Sequence, residues 1–180
     1  MPKFSFLART FSTPCGYVGV AAVESGLVRI ALPRKSERDV TRELRETVGG
    51  EFEAELNKAS MVRVFEVLDA AERQIREYLA GHRKTFDLPL APPHATDFMR
   101  AVWRGCRQIP YGKTRSYGWL AARIGRPNAS RAVGAALGAN PLPLIVPCHR
   151  VVRGNGSLGG FAGGLPLKQR LLDLERSGRP

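Results

Sequence analysis

The sequence predicts an α+β chain of 180 residues, with a small α/β unit over residues 1–90 and a mostly helical unit over 91–180. Three observations carry this. Two β-rich runs, Gly16–Val23 and Leu27–Leu32, flank Glu24-Ser25-Gly26, a hairpin pattern in which Gly26 supplies a positive φ. Prolines recur through Asp87-Leu-Pro-Leu-Ala-Pro-Pro-His-Ala-Thr96 and block regular structure, so that segment reads as the connection. Beyond it, two short helical patterns separated by Gly125-Arg126-Pro127 match a helix-turn-helix.

The remaining elements follow in chain order. The first residues, Met1 to Arg9, lack the long apolar core of a secretion leader, and no run reaches transmembrane length; a soluble cytoplasmic protein is expected. Ser36 followed by Asp39 opens a capped helix to about Val48. Residues 59–80 place Val62, Phe65, Leu68, Ile75 and Leu79 at helical spacing and stop near Gly81. Carboxylates in this half are scattered on polar faces, so it reads as a scaffold. Thr96 caps a helix to about Gln108, with Phe98, Val102 and Trp103 on its buried face. Residues 109–116 form a turn. Helices then run from Tyr117 to Ile124 and from Asn128 to Ala139. The second is built of small residues (Ala129, Ser130, Ala132, Gly134, Ala135, Ala136), which lets a helix approach a partner closely. The apolar run Pro141–Val146 reads as a short buried strand.

Charge separates the halves. The chain carries 28 Lys and Arg against 16 Asp and Glu, net +12. Residues 1–90 hold 14 basic and 13 acidic side chains; residues 91–180 hold 14 and 3. No Asp or Glu occurs from Phe98 to Leu172, a stretch with 12 Lys and Arg. One-signed charge of this extent points to a polyanion, nucleic acid first, because neutralising phosphates releases counterions. No basic amphipathic helix with an aromatic stripe is present, so an anionic membrane is not the expected partner.

Into this basic half falls Pro147-Cys148-His149-Arg150. A thiol reacts as its thiolate, and an adjacent base is the usual way to obtain one. Neighbours on a strand face opposite ways, so a proton relay from Cys148 to His149 needs a water or a turn. The three cysteines, Cys15, Cys106 and Cys148, have no paired spacing, which fits a reducing compartment without disulfides. Cys15 and Cys106 read as core or half-buried thiols, and His82 and His94 as surface residues. No histidine has ligand-like spacing to a cysteine, so no structural zinc is expected.

Ile109-Pro-Tyr-Gly-Lys-Thr-Arg-Ser-Tyr117, Arg131-Ala-Val-Gly134, Asn140-Pro141, Pro147-Cys-His-Arg-Val151, Gly163-Gly164 and Lys168 to Glu175 together resemble the O6-alkylguanine-DNA alkyltransferases, or methylated-DNA–protein-cysteine methyltransferases. The order and spacing match from about Thr96 to Glu175. The resemblance implies a ribonuclease-H-like N-terminal domain and a winged-helix-like C-terminal domain. It implies a single-turnover repair protein, with Cys148 taking the alkyl group from O6 of guanine in double-stranded DNA; O4 of thymine, the range of alkyl groups and cooperativity on DNA stay open. His149 would take the thiol proton through a water, Glu175 would orient the imidazole, and Tyr117 would donate to the leaving base. Asn140 would tie the second helix to the cysteine strand. Leu137, Phe161 and the backbone around Val151 would line the pocket, with Ala162 where some relatives offer a hydroxyl. Arg131 would insert into the base stack from the minor groove, beside Ser130 and Ala132, while Lys113, Arg115, Arg123 and Arg126 contact phosphates. The protein would act as a monomer, without cofactor or membrane. Two other readings differ in function: a lesion-recognition protein on the same scaffold without transfer, against which Cys148 argues, and a helix-turn-helix regulator, for which the second helix has few base-reading side chains.

Overall fold

A computed structural model describes residues 6–48, 58–92 and 95–177. The chain divides into two compact units, Met1–Pro93 and His94–Pro180.

The first unit is a three-stranded antiparallel meander in the order β1 (Leu7–Thr13), β2 (Gly16–Val23), β3 (Gly26–Arg34). Two helices, α1 (Glu37–Val48) and α2 (Lys58–Leu79), pack on it. β2 is apolar at successive positions because it is covered on both faces. A side chain at Gly19 would fall 2.4 Å from Val40 and 2.7 Å from Leu44 of α1. The alternate residues Val18, Val20 and Ala22 are fully buried on the other face. The hairpin turn is where the sequence places it. Gly26 (φ +142°) is required twice over, since a Cβ there would lie 2.5 Å from the carbonyl oxygen of Pro89. Ser36 caps α1 by accepting the amide of Asp39 at 3.2 Å.

Three readings are amended here. β1 forms in a segment whose residue pattern predicts no strand. The Asp87–Thr96 connection is partly ordered: Leu27 and Leu90 bridge, and buried Gln74 exchanges two 2.8 Å hydrogen bonds with the backbone of Asp87. The buried stripe of α2 runs through Val64, Val67, Leu68, Ala71, Ile75, Tyr78 and Leu79, whereas Val62 and Phe65 are 52% and 45% exposed. His82 is exposed, and His94 lies outside the described residues.

The second unit begins with α3 (Asp97–Arg107), capped by the Thr96 hydroxyl, which accepts the amide of Met99 at 3.2 Å. The two-residue strand β4 (Arg115–Ser116) leads into α4 (Tyr117–Arg123), capped by Ser116. After the turn comes α5 (Ser130–Gly138), two residues later than the sequence suggests. Its start is delayed because residues 126–129 form a proline turn closed by the Ala129 amide on the Arg126 carbonyl, 2.9 Å. α3, α4 and α5 pack together over Val102, Trp103, Leu120, Val133 and Ala136, and the Trp103 indole donates to the Ala136 carbonyl at 2.8 Å. β5 (Val151–Val152) pairs in parallel with β4, and α6 (Leu165–Ser177) closes the unit.

The expected strand at Pro141–Val146 does not form. The segment is buried, as its apolarity requires, but it folds as successive turns, with Leu144 at φ +74°. Prolines at 141, 143 and 147 remove the amides a ladder would need. The side chain of Asn140 replaces the ladder, accepting from the Leu142 amide (3.0 Å) and donating to the Val146 carbonyl (2.9 Å).

Candidate active site

Cys148 opens a 3-10 turn, Cys148–Arg150, at the exit of this loop. Its side chain is half-buried and faces a cavity of about 420 Å³ lined by Tyr117, Leu137, Cys148, Phe161 and Ala162 and by the glycines at 134, 138 and 160. The Asn140 carboxamide donates to Sγ at 3.4 Å. Asn140 therefore touches the Cys148 sulfur as well as tying the loop. Val151 does not line the cavity: it is fully buried in the β4–β5 pair. The predicted Tyr117, Leu137, Phe161 and Ala162 do.

Behind Cys148 the turn sends His149 and Arg150 inward. Nε2 of His149 meets Oε1 of Glu175 at 2.8 Å, both residues being buried. The Arg150 guanidinium grips the same carboxylate through Nε (3.0 and 2.9 Å) and Nη2 (2.9 Å), and the Gly112 amide donates to Oε2 at 2.8 Å. Arg150 also donates to the Ile109 carbonyl at 2.7 Å. Burial alone would raise the Glu175 carboxyl, but the His149 and Arg150 hydrogen bonds and their charges bring it down to about 2. It is an anion at neutral pH. Burial lowers the His149 imidazole against the pull of Glu175, so the ring rests neutral. Burial pushes the Cys148 thiol up, opposed by the Asn140 hydrogen bond and the Lys168 charge. The resting group is a thiol with a neutral imidazole as its sequence neighbour, an arrangement that needs proton removal to become nucleophilic.

Two charged residues of the site carry no expected function in the sequence reading. Arg150 appears there only as part of a motif. Lys168 is fully buried, with Nζ donating to the carbonyls of Val151 (2.6 Å), Leu158 and Gly160 (3.3 Å). Burial holds its ammonium at about 8, against the raising effect of Cys148 and Cys106. The spacing 168, 171, 172, 175 was a usable clue, because it puts Lys168 and Glu175 on the buried stripe of α6 with Leu171 and Leu172. Cys106 is buried, and burial raises its thiol.

The predicted DNA contacts sit on the helical pair and the turn before it. Lys113, Arg115, Arg123, Arg126, Arg131 and Ala132 are exposed, and Ser130 is half-buried. Arg115 stacks over the Trp119 ring at 5.4 Å, and Arg123 donates to Gln108 at 3.1 Å. Among the described residues no group of three or more His, Cys, Asp or Glu is placed to hold a metal ion, and no helix is long and apolar enough to cross a membrane.

A thiol at a cavity, with an imidazole–carboxylate pair behind it and a basic helix-turn-helix in the same unit, defines a class: a nucleic-acid-directed cysteine group acceptor. Comparison with known proteins specifies it. Residues 7–92 match the ribonuclease-like domain, and 97–177 the DNA binding domain, of 6-O-methylguanine DNA methyltransferase. The constitutive methylated-DNA–protein-cysteine methyltransferase of Bacillus subtilis is 40% identical over 168 residues, 93% of each chain. The Methanosarcina acetivorans protein of that activity is 51% identical over 118 residues, 66% of this chain and 75% of its own. Mycobacterium tuberculosis OGT, solved in complex with DNA, superposes with a TM-score of 0.77 at 35% identity, covering 98% of this chain and 95% of that one. The Pyrococcus kodakaraensis O6-methylguanine-DNA methyltransferase shares the fold (TM-score 0.63, 22% identity, 94% and 98% coverage). The chain belongs to the methylated-DNA–protein-cysteine methyltransferase family, whose members repair alkylated DNA by moving the alkyl group to a cysteine of their own.

Proposed function

We propose that Cys148 is the alkyl acceptor and that double-stranded DNA carrying O6-alkylguanine is the substrate. The observation that carries this is the opening of the Cys148 thiol onto the cavity that Tyr117 and Phe161 also line. A guanine inside the duplex cannot reach that thiol, so the base is flipped out into the cavity. Arg131, at the exposed start of α5, fills the vacated stack from the minor groove, and the small residues of α5 allow the close approach. Lys113, Arg115, Arg123 and Arg126 contact phosphates.

The chemistry is an in-line displacement. The Sγ–carbon bond forms as the carbon–O6 bond breaks. With Nε2 of His149 committed to Glu175, the thiol proton passes to Nδ1 through a water, and guanine takes up one proton as it leaves. The Tyr117 hydroxyl donates to the base as negative charge develops on it. Burial raises the Tyr117 pKa, and negative charge forming at Cys148 raises it further, so the hydroxyl keeps its proton to donate. A thioether is not reversed by thiol exchange, so each molecule acts once.

The test is the intact mass of the protein after incubation with excess O6-methylguanine duplex, with the adduct mapped by peptide analysis. One methyl group per chain on Cys148, absent from Cys148→Ala, is the expected result. Unchanged mass despite lesion-selective binding would leave a recognition protein instead.

A further inference from the structure

β4 and β5 pair in the register Arg115↔Val151 and Ser116↔Val152, so the residues that leave the ladder together are Tyr117 and Arg153. Both are fixed from several sides. Tyr117 opens α4 under the Ser116 cap and abuts Gly159, where a Cβ would lie 2.9 Å from its hydroxyl oxygen. Arg153 opens a turn closed by its own amide on the Ser157 carbonyl (2.8 Å) and by the Gly156 amide on its carbonyl (3.0 Å). Asn155 braces the turn by accepting from the Ser157 amide (3.1 Å) and hydroxyl (2.8 Å). The chain then runs to Leu158, whose carbonyl Lys168 holds, and into Gly160, Phe161 and Ala162 of the cavity wall. The backbone of Arg153 thus belongs to the frame of the cavity while its side chain is exposed.

Among the described residues no acid of the unit pairs with this side chain. Residues 91–180 contain three acids. Asp97 is paired with Arg100, Asp173 with Arg176, and Glu175 with His149 and Arg150. The Arg153 charge does reach Tyr117, whose hydroxyl it makes more acidic against the upward push of burial and of Cys148. A base that enters the cavity leaves its sugar-phosphate outside it; Tyr117 lines that cavity, and Arg153 opens the segment that runs into its wall.

We infer that Arg153 is a binding and positioning residue: its guanidinium engages the phosphodiester of the nucleotide whose base enters the Tyr117–Cys148 cavity, and its charge faces the Tyr117 hydroxyl as guanine departs. The fork of the guanidinium suits two phosphate oxygens at once. The inference rests on the reading of Cys148 as acceptor.

The experiment compares the full-length protein with Arg153→Ala and Arg153→Lys, using O6-methylguanine duplex and free O6-benzylguanine, a substrate without phosphate. Arg153→Ala should slow transfer from subsaturating duplex about tenfold, the loss of one charge-assisted contact, and slow the free-base reaction clearly less. The slope of log affinity against log salt should fall by about 0.9, one phosphate contact. Arg153→Lys should restore the slope and part of the rate. An unchanged slope, equal losses on both substrates, or Lys as poor as Ala would overturn the inference. Wild-type protein run alongside separates the two levels. If its Cys148 takes no alkyl group, the acceptor reading fails; if it does and Arg153→Ala matches it, only this inference fails.

Discussion

Glu175 is where the charges of the site meet. It accepts from His149, Arg150 and the Gly112 amide, and it is 4% exposed. A buried pair of this kind is not a large net source of stability, but removing one partner strands the other. Glu175→Gln should therefore cost about 3–5 kcal/mol in urea unfolding. Glu175→Gln combined with Arg150→Met should cost less than the single change, and a double variant worse than the sum of the singles would contradict the pairing. The pH dependence has a definite sign. The carboxyl is lowered in the fold from its ordinary 4.5 to about 2. Its contribution is present above pH 4.5 and is lost as pH falls toward about 2, a total of about 3 kcal/mol. His149, whose imidazole is lowered from 6.5, acts in the same direction, since the unfolded chain takes up its proton first. Stability measured from pH 7 downward should fall through both ranges in the wild type, and the lower range should flatten in Glu175→Gln.

Elements explain what the sequence could and could not reveal. Helices with their own caps were legible: Ser36, Thr96 and the Gly125–Pro127 turn each mark a boundary by local chemistry, and α1, α3 and α4 begin or end where those marks fall. Cys148, His149, Glu175, Tyr117 and Asn140 could be named from their motifs, and they converge. The loop from Asn140 to Val146 could not be read, because apolarity reports burial and is silent on conformation; one carboxamide decides the path. Spacing puts Lys168 on the buried stripe of α6, but its role has no sequence signature, because its partners are backbone carbonyls. β1 escaped because strand pairing, not residue pattern, defines it. The wall of the cavity gives a prediction at this scale. Gly159 has φ +69°, and a Cβ there would meet Tyr117 at 2.9 Å from the hydroxyl oxygen and 3.0 Å from the ring. Gly159→Ala must displace either the tyrosine or the loop held by Lys168. It should lose about 1–3 kcal/mol of stability from the strained backbone. It should also slow transfer to Cys148 from free base and duplex alike, since the cavity itself is altered. Single-turnover rates on both substrates check this, and a selective loss on duplex alone would place the effect outside the cavity.

Across the whole chain, charge is divided as sharply as the fold. The scaffold half is nearly neutral, and the half with the thiol holds 14 basic residues against 3 acidic ones. Two of those cations, Arg150 and Lys168, are buried and serve the site, so they cannot bind a polyanion. Lys113, Arg115, Arg123, Arg126 and Arg131 are exposed on the helical pair and the turn preceding it. If these five neutralise phosphates, the affinity for undamaged duplex should fall with salt at a log–log slope of about −4 to −5. The slope, read from fluorescence anisotropy titrations at several salt concentrations, counts contacts independently of the alkyl chemistry. Cys148→Ala should leave it unaltered, because the thiol faces the cavity and not the duplex backbone. Arg126→Ala should reduce it by about 0.9 with little change in lesion preference, the mark of a phosphate contact. Arg131→Ala should instead depress transfer from duplex far more than from free O6-benzylguanine, since a residue that holds the vacated stack matters only when there is a stack. A slope near zero in the wild type would mean that the one-signed surface meets something other than DNA, and would detach the charge argument from the repair reaction.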